Sequence, residues 1–163
     1  MTLSTSFSAG QRLTAAELTT LVTAIQGLQV PNMCVAYRAA AQSIPHAVGT
    51  TLQLDSQSVD TAAMFSPTDD KIYAVTTGVH LVTGFALCSG PNFMILDLLL
   101  NGANIATQAA PTDASGVVRI CAATHVYMTS GQYVSASLYQ SSTGSVARNA
   151  TGRMTLAYRG AIA

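Results

Sequence analysis

Val79-His80-Leu81-Val82-Thr83-Gly84-Phe85-Ala86-Leu87-Cys88 is the stretch that decides the fold class. In an extended strand alternate residues face opposite sides. One face reads Val79, Leu81, Thr83, Phe85 and Leu87. The other reads His80, Val82, Gly84, Ala86 and Cys88, which is small and barely polar. The run Phe93 to Leu100 is likewise apolar on both faces except at Asp97. A sheet that meets water on one side needs strands with a polar face, so these strands call for cover on both sides. One cover is the domain's own core. The other is most simply a neighbouring copy of the same chain.

The composition supports that reading. The chain has 163 residues, enough for one domain and a small appendage. It is 49% hydrophobic and only 9% charged, with zero formal net charge. Disorder needs low hydrophobicity and high net charge, and neither is present. Nucleic-acid binding needs a basic stripe, and there is none. Zero net charge disfavours a freely dissolved monomer and suits a subunit locked in an assembly. Cys34, Cys88 and Cys121 are odd in number and far apart, so they read as small buried hydrophobes inside strands. No segment is long and apolar enough for a membrane span. The N-terminus shows no basic region followed by an apolar one, so assembly in a cytoplasm is expected.

The first thirty residues differ from the rest. Residues 1–10 read as an extended arm. Thr14-Ala15-Ala16-Glu17 is a capping box, with Leu13 and Leu18 at the hydrophobic-staple positions. Leu18, Leu21, Val22, Ile25 and Leu28 then follow helical spacing, and Gly27 and Pro31 end the helix. A helix of four turns is marginal alone and needs a surface to lie on, either its own domain or a sister helix or host surface.

From Met33 the pattern switches to strands, expected at 33–42, 50–55, 79–88, 93–101, 104–109, 117–129, 132–140 and 153–160, with a weaker one near 71–75. Asn101-Gly102 is a hairpin signal, because both residues accept positive φ. Ser130-Gly131 separates two long strands. Many short strands without interleaved helices predict an all-β sandwich.

The order of these segments over residues 33–160 resembles the C1q/TNF-like jelly roll, a sandwich family that forms homotrimers. The resemblance rests on Ala74 to Gly84 as the turn into a long central strand and on Leu98-Leu99-Leu100-Asn101-Gly102 as a hairpin. It rests also on Ser130 to Gln140 as a "Gly-Asp-x-Val" strand in which Gln132 replaces the acid. A second resemblance covers Phe7 to Leu18, which looks like the opening of small structural proteins of tailed bacteriophages. Leu54 to Phe65 is similar to a further segment of those proteins, with Val59 where they carry an aromatic residue.

Reactive chemistry is sparse. His46, His80 and His125 have no second metal ligand at i+2 or i+4. There is no Gly-x-Ser-x-Gly elbow and no phosphate loop. Asp69-Asp70 reads as a solvated turn rather than a calcium loop. Asp97, in an apolar strand, is expected to be buried and paired, with Arg38 or Arg119 as partner. Tyr133 and Tyr139 share a strand face with Ser135 and Ser137, opposite Val134, Ala136 and Leu138. The second set suits the core, which leaves the tyrosine face for a neighbouring subunit.

Together these features predict an all-β, C1q/TNF-like jelly-roll sandwich at 31–163, preceded by an arm and helix at 1–30. The resemblances imply a non-enzymatic virion protein, a homotrimeric decoration or appendage subunit on a phage capsid or tail. Leu3, Phe7, Leu18, Leu21, Val22 and Ile25 are the expected anchors, and His80, Tyr133 and Tyr139 the expected trimer contacts. No cofactor or metal is implied. A tail module that recognises a host surface glycan is the alternative, and a small hydrolase the remote one.

Overall fold

The computed structural model describes residues 14–29 and 31–161. It divides into two units, residues 1–31 and 32–163. The first contains helix α1, Ala15–Gln29. Its start is the capping box read from the sequence. The Thr14 amide donates to Glu17 Oε2 at 2.8 Å, and the Glu17 amide donates to Thr14 Oγ1 at 3.3 Å. These bonds, the one from the Thr14 amide foremost, hold the Glu17 carboxyl below its ordinary pKa. Thr19, Thr20 and Thr23 donate their hydroxyls to carbonyls four residues back, so the polar side of the helix is satisfied within itself. Leu3, Phe7 and the staple residue Leu13 lie outside the described residues.

Among the described residues the second unit contains twelve strands in two antiparallel sheets. The first sheet holds β1 (Met33–Tyr37), β2 (Gln42–Ile44), β4 (Ser56–Asp60), β7 (Gly78–Ser89), β10 (Val117–Met128) and β12 (Arg148–Gly160). Its order is β10-β7-β12-β1-β4, with β2 on β12. The second sheet holds β3 (Thr50–Thr51), β5 (Phe65–Ser66), β6 (Lys71–Tyr73), β8 (Phe93–Leu100), β9 (Ala103–Pro111) and β11 (Tyr133–Ser141). Its order is β5-β6-β11-β8-β9, with β3 on β11. From β7 onward the chain repeatedly crosses between sheets, which gives the sandwich its core of alternate residues.

That core is formed by the small face of β7. His80, Val82, Ala86 and Cys88 point inward, with Val118 and Ile120 of β10 and Met154 and Leu156 of β12 beside them. Met94, Leu96 and Leu98 of β8 and Val134, Ala136 and Leu138 of β11 close the other side. The larger face, Val79 to Leu87, points outward and is half-buried. The parity reading of β11 holds, since Tyr133 and Tyr139 lie opposite the buried set. The hairpin holds as well: Asn101 and Gly102 have φ of 48° and 84°, as a two-residue turn of positive φ requires.

Several boundaries moved. The expected strand 33–42 ends at Tyr37, and the Arg38 side chain just beyond it pairs with Asp55. Ser56–Asp60 pairs as edge strand β4, although only Val59 in it is apolar and no alternation announces it. β12 begins at Arg148, five residues early, because β7 offers a long edge to which Ala150 and Thr151 pair. Cys34 and Cys88 are buried as expected, but Cys121 is exposed, because the odd positions of β10 face outward.

Two glycines set how closely side chains approach. A Cβ on Gly84 would lie 2.6 Å from the tip of Leu98, which is flexible. One on Gly152 would lie 2.7 Å from Leu52 and 3.0 Å from the backbone oxygen of Phe85, which is not. Gly152→Val is therefore expected to destabilise the β-unit by about 1–3 kcal/mol through overpacking. Urea unfolding checks this, and an unchanged midpoint contradicts it.

Candidate functional site

The surfaces that distinguish this chain are the outer faces of its two sheets. On the first sheet the half-buried column Val79, Leu81, Phe85 and Leu87 of β7 is flanked on both sides. Phe85 sits opposite Cys121 of β10 and Arg153 of β12, and Arg153 sits opposite Tyr37 of β1. Cys121, Ala123, His125 and Tyr127 of β10 are exposed, Tyr127 at 50%. A shallow cavity of about 510 Å³ lies in the middle, lined by Tyr37, Arg38, Phe85 and Arg153 among others. Arg38 is engaged by Asp55 at 2.8 Å, and Arg119 by Asp113 at 2.6 Å. This face is thus mainly apolar, with guanidinium groups along it and no carboxylate among the outward residues of β7, β10 and β12.

The second sheet's outer face is engaged with itself. Tyr133 packs on Tyr73 with ring centroids 5.8 Å apart, and Lys71 Nζ lies 4.4 Å from the Tyr133 ring centroid. Lys71 is 3.1 Å from Asp69, and the Tyr73 hydroxyl donates to Asp69 at 2.6 Å. Hydrogen bonds from Ser66 and Tyr73 hold the Asp69 carboxyl down at about 2. Tyr139 packs on Phe93 at 5.8 Å. Asp97 is on this outer face, not buried, and pairs with neither arginine. Its Oδ1 accepts from Asn104 Nδ2 at 2.9 Å and Thr107 Oγ1 at 2.6 Å. The expectation of a buried ion pair is corrected: β8 turns Asp97 outward with Phe93, Ile95 and Leu99.

The remaining carboxylates shape loops. Asp60 accepts from the amides of Ala62, Met64 and Phe65. Asp55 accepts from the Ala39 amide and Asp70 from the Leu54 amide. These contacts give a structural reason for the Leu54–Phe65 segment singled out in the sequence. Among the described residues no group of three or more His, Cys, Asp or Glu is placed to hold a metal ion.

His80 belongs to neither outer face. It is fully buried at the inner end of β7, with Tyr158 edge-on at 5.3 Å and Nδ1 3.0 Å from the Gly78 carbonyl. Its Nε2 is buried without a partner. The three expected trimer contacts therefore do not form one surface. Tyr133 and Tyr139 lie outside on the second sheet, while His80 faces the core from the first and has no exposed area to offer a neighbour. His46 accepts from the Ser142 amide and His125 faces outward from β10, so the histidines do not converge. On α1, Leu18, Val22 and Ile25 are exposed at 50%, 45% and 44%, and their spacing puts them on one side of the helix.

No protein-family model matches the chain, and no curated protein matches it. Solved structures do. The globular domain of zebrafish complement 1qA is 10% identical, with 79% of this chain and 99% of that one covered and a TM-score of 0.62. Murine APRIL at pH 5.0 is 9% identical, with 79% and 100% covered and a TM-score of 0.60. At such identities the likeness is one of fold. The β-unit is a C1q/TNF-like jelly roll, as its strand order led us to expect. That fold by itself assigns no activity.

Burial holds the His80 pKa below its ordinary value, so the folded state keeps the ring neutral. Unfolding frees it to take up a proton below about pH 6.5. Stability from this group is therefore full above that pH and declines as the pH falls through and below it. Melting temperatures between pH 7.5 and 5 should show that decline, and His80→Phe should flatten it. An equally steep decline in the variant would remove His80 as its source.

Proposed function

We propose that this chain is a non-enzymatic structural subunit of a tailed-phage particle, whose β-unit self-associates as a homotrimer. In this reading the N-terminal segment docks the trimer on the capsid or tail. The observation that carries it is the outer face of the first sheet. Leu81, Phe85, Tyr37 and Tyr127 make it apolar and partly exposed, and zero net charge offers little repulsion against association. The likeness of fold to C1q and TNF-type domains supports a closed assembly. The tyrosine face of the second sheet is the weaker candidate, because Lys71, Asp69 and Tyr73 already occupy Tyr133.

Docking is supported by the exposed Leu18, Val22 and Ile25 side of the helix and by the resemblance of Phe7 to Leu18 to phage openings. An amphipathic helix of this kind fits an apolar groove on a partner. The non-enzymatic reading is supported by the carboxylates, which are engaged in loops and ion pairs rather than aimed together into a cleft.

Light scattering behind size exclusion tests the assembly. The full chain is expected at about three times its 16.8 kDa mass. Phe85→Asp should yield monomer, while Tyr139→Asp should leave the trimer whole. The reverse pattern would place the contact on the second sheet, and a monomeric wild type would end the proposal. Leu21→Asp with Ile25→Asp should keep the trimer but prevent its incorporation into particles. Normal incorporation would remove the helix from docking.

A further inference from the structure

We propose that His80 and Tyr158 form an acid-sensitive latch. When the imidazole takes up a proton, the end of β12 and the junction at Asn32 part from the start of β7, while the rest of the sandwich stays folded. This local opening is distinct from a global loss of stability in acid.

The contacts concentrate at one corner of the first sheet. His80 is fully buried, its Nδ1 lies 3.0 Å from the Gly78 carbonyl, and its Nε2 has no partner. Tyr158, directly opposite on β12 and half-buried, meets the imidazole edge-on at 5.3 Å. The same ring lies on Gly78, where a Cβ would stand 2.7 Å from Tyr158 Cε2 and 2.5 Å from the Gly160 carbonyl oxygen. Gly78 also has a φ of 151°, so glycine is what lets the two strand ends pass this closely. The Tyr158 amide in turn donates to the Asn32 carbonyl at 2.9 Å, and Asn32 is the first residue of the β-unit. Cover over the imidazole and fastening of the junction therefore rest on one residue.

This corner has no group to receive a buried positive charge. Beside His80, β12 presents Tyr158, and β10 presents Val126 and Met128. Across the sandwich Ile72, Leu98 and Val134 are buried and apolar. Arg159, the extra residue where the register of β12 on β7 shifts, is exposed. Among the described residues no carboxylate acts on the ring. An imidazolium here would hold a second donor with no acceptor and a charge with no counter-charge. The ladder is irregular at the same place. Ala150 to Ala157 pair with β7 without a break, and the shift falls between Tyr158 and Gly160. A bulge at a strand end opens at less cost than the whole sheet. On a particle the loosened junction would free the docking segment, a consequence that rests on the function proposed above.

Amide hydrogen exchange by NMR on the full chain tests the latch, with rates corrected for the intrinsic effect of pH. Opening frees a ring that titrates near its ordinary value of about 6.5, so the Tyr158 amide should lose protection about thirtyfold from pH 7.5 to pH 5. Low urea should leave its rate unchanged, as for a local opening. Ala86, in the middle of β7, should stay better protected at both pH values and exchange faster with urea. His80→Phe should leave Tyr158 equally protected at both pH values. Tyr158→Ala, which removes the cover and keeps the imidazole, should move the His80 titration up toward its ordinary midpoint. Tyr158 exchanging in step with Ala86 would overturn the latch. So would pH-independent protection in the wild type, an undiminished acid loss in His80→Phe, or an unmoved His80 midpoint in Tyr158→Ala. Exchange is read on the free chain, so a failure of the latch is separable from a failure of docking.

Discussion

The alternation of β7 is the constraint from which the rest of the structure follows. Its small face, Val82 to Cys88, must be buried, and Gly84 and Ala86 leave room there for Leu96 and Leu98 from the facing sheet. Because side chains alternate strictly, burying that face turns Val79, Leu81, Phe85 and Leu87 outward. β10 and β12 pair along nearly the whole of β7, so their register extends the same division across the first sheet. The apolar outer face is therefore a consequence of how the core is filled. A chain with polar residues at those outer positions would keep the same core and lose the surface.

Charge is used sparingly and mostly locally. The three ion pairs among the described residues hold Arg38, Lys71 and Arg119 to aspartates in nearby segments. Such solvent-screened pairs contribute little stability. Their main effect is to orient loops and to remove cations from the list of free surface groups. Among the described residues Arg148, Arg153 and Arg159, all on β12, form no ion pair. The first sheet thus combines an apolar column with unpaired guanidinium groups, while the second sheet consumes its own charges. This asymmetry gives the two faces different roles in a sandwich that is otherwise built alike on both sides.

Much of this was legible in the residues. The capping box, the Asn101-Gly102 hairpin and the parity of β11 each depend on contacts within a few residues, and each appeared as read. β4 and the first turns of β12 were not legible, because Ser56–Asp60 and Arg148–Gly152 carry little apolar pattern and become strands only by pairing with β1 and β7. His80 and Asp97 were misplaced for one shared reason. Each was assigned from its chemistry, a histidine to an interface and an acid to a buried pair, when the pleat had already decided its side.

The sequence by itself determined the class of fold, the helix and its cap, and the presence of two apolar faces on the long strands. These follow from local hydrogen bonding and from the two-residue period of the strand. Only the tertiary structure decided which face of each strand turns inward, which arginines find a carboxylate, and where a cavity opens. Those depend on pairing between segments far apart in the chain. A two-residue period states that there are two sides, and only packing against the opposite sheet selects between them.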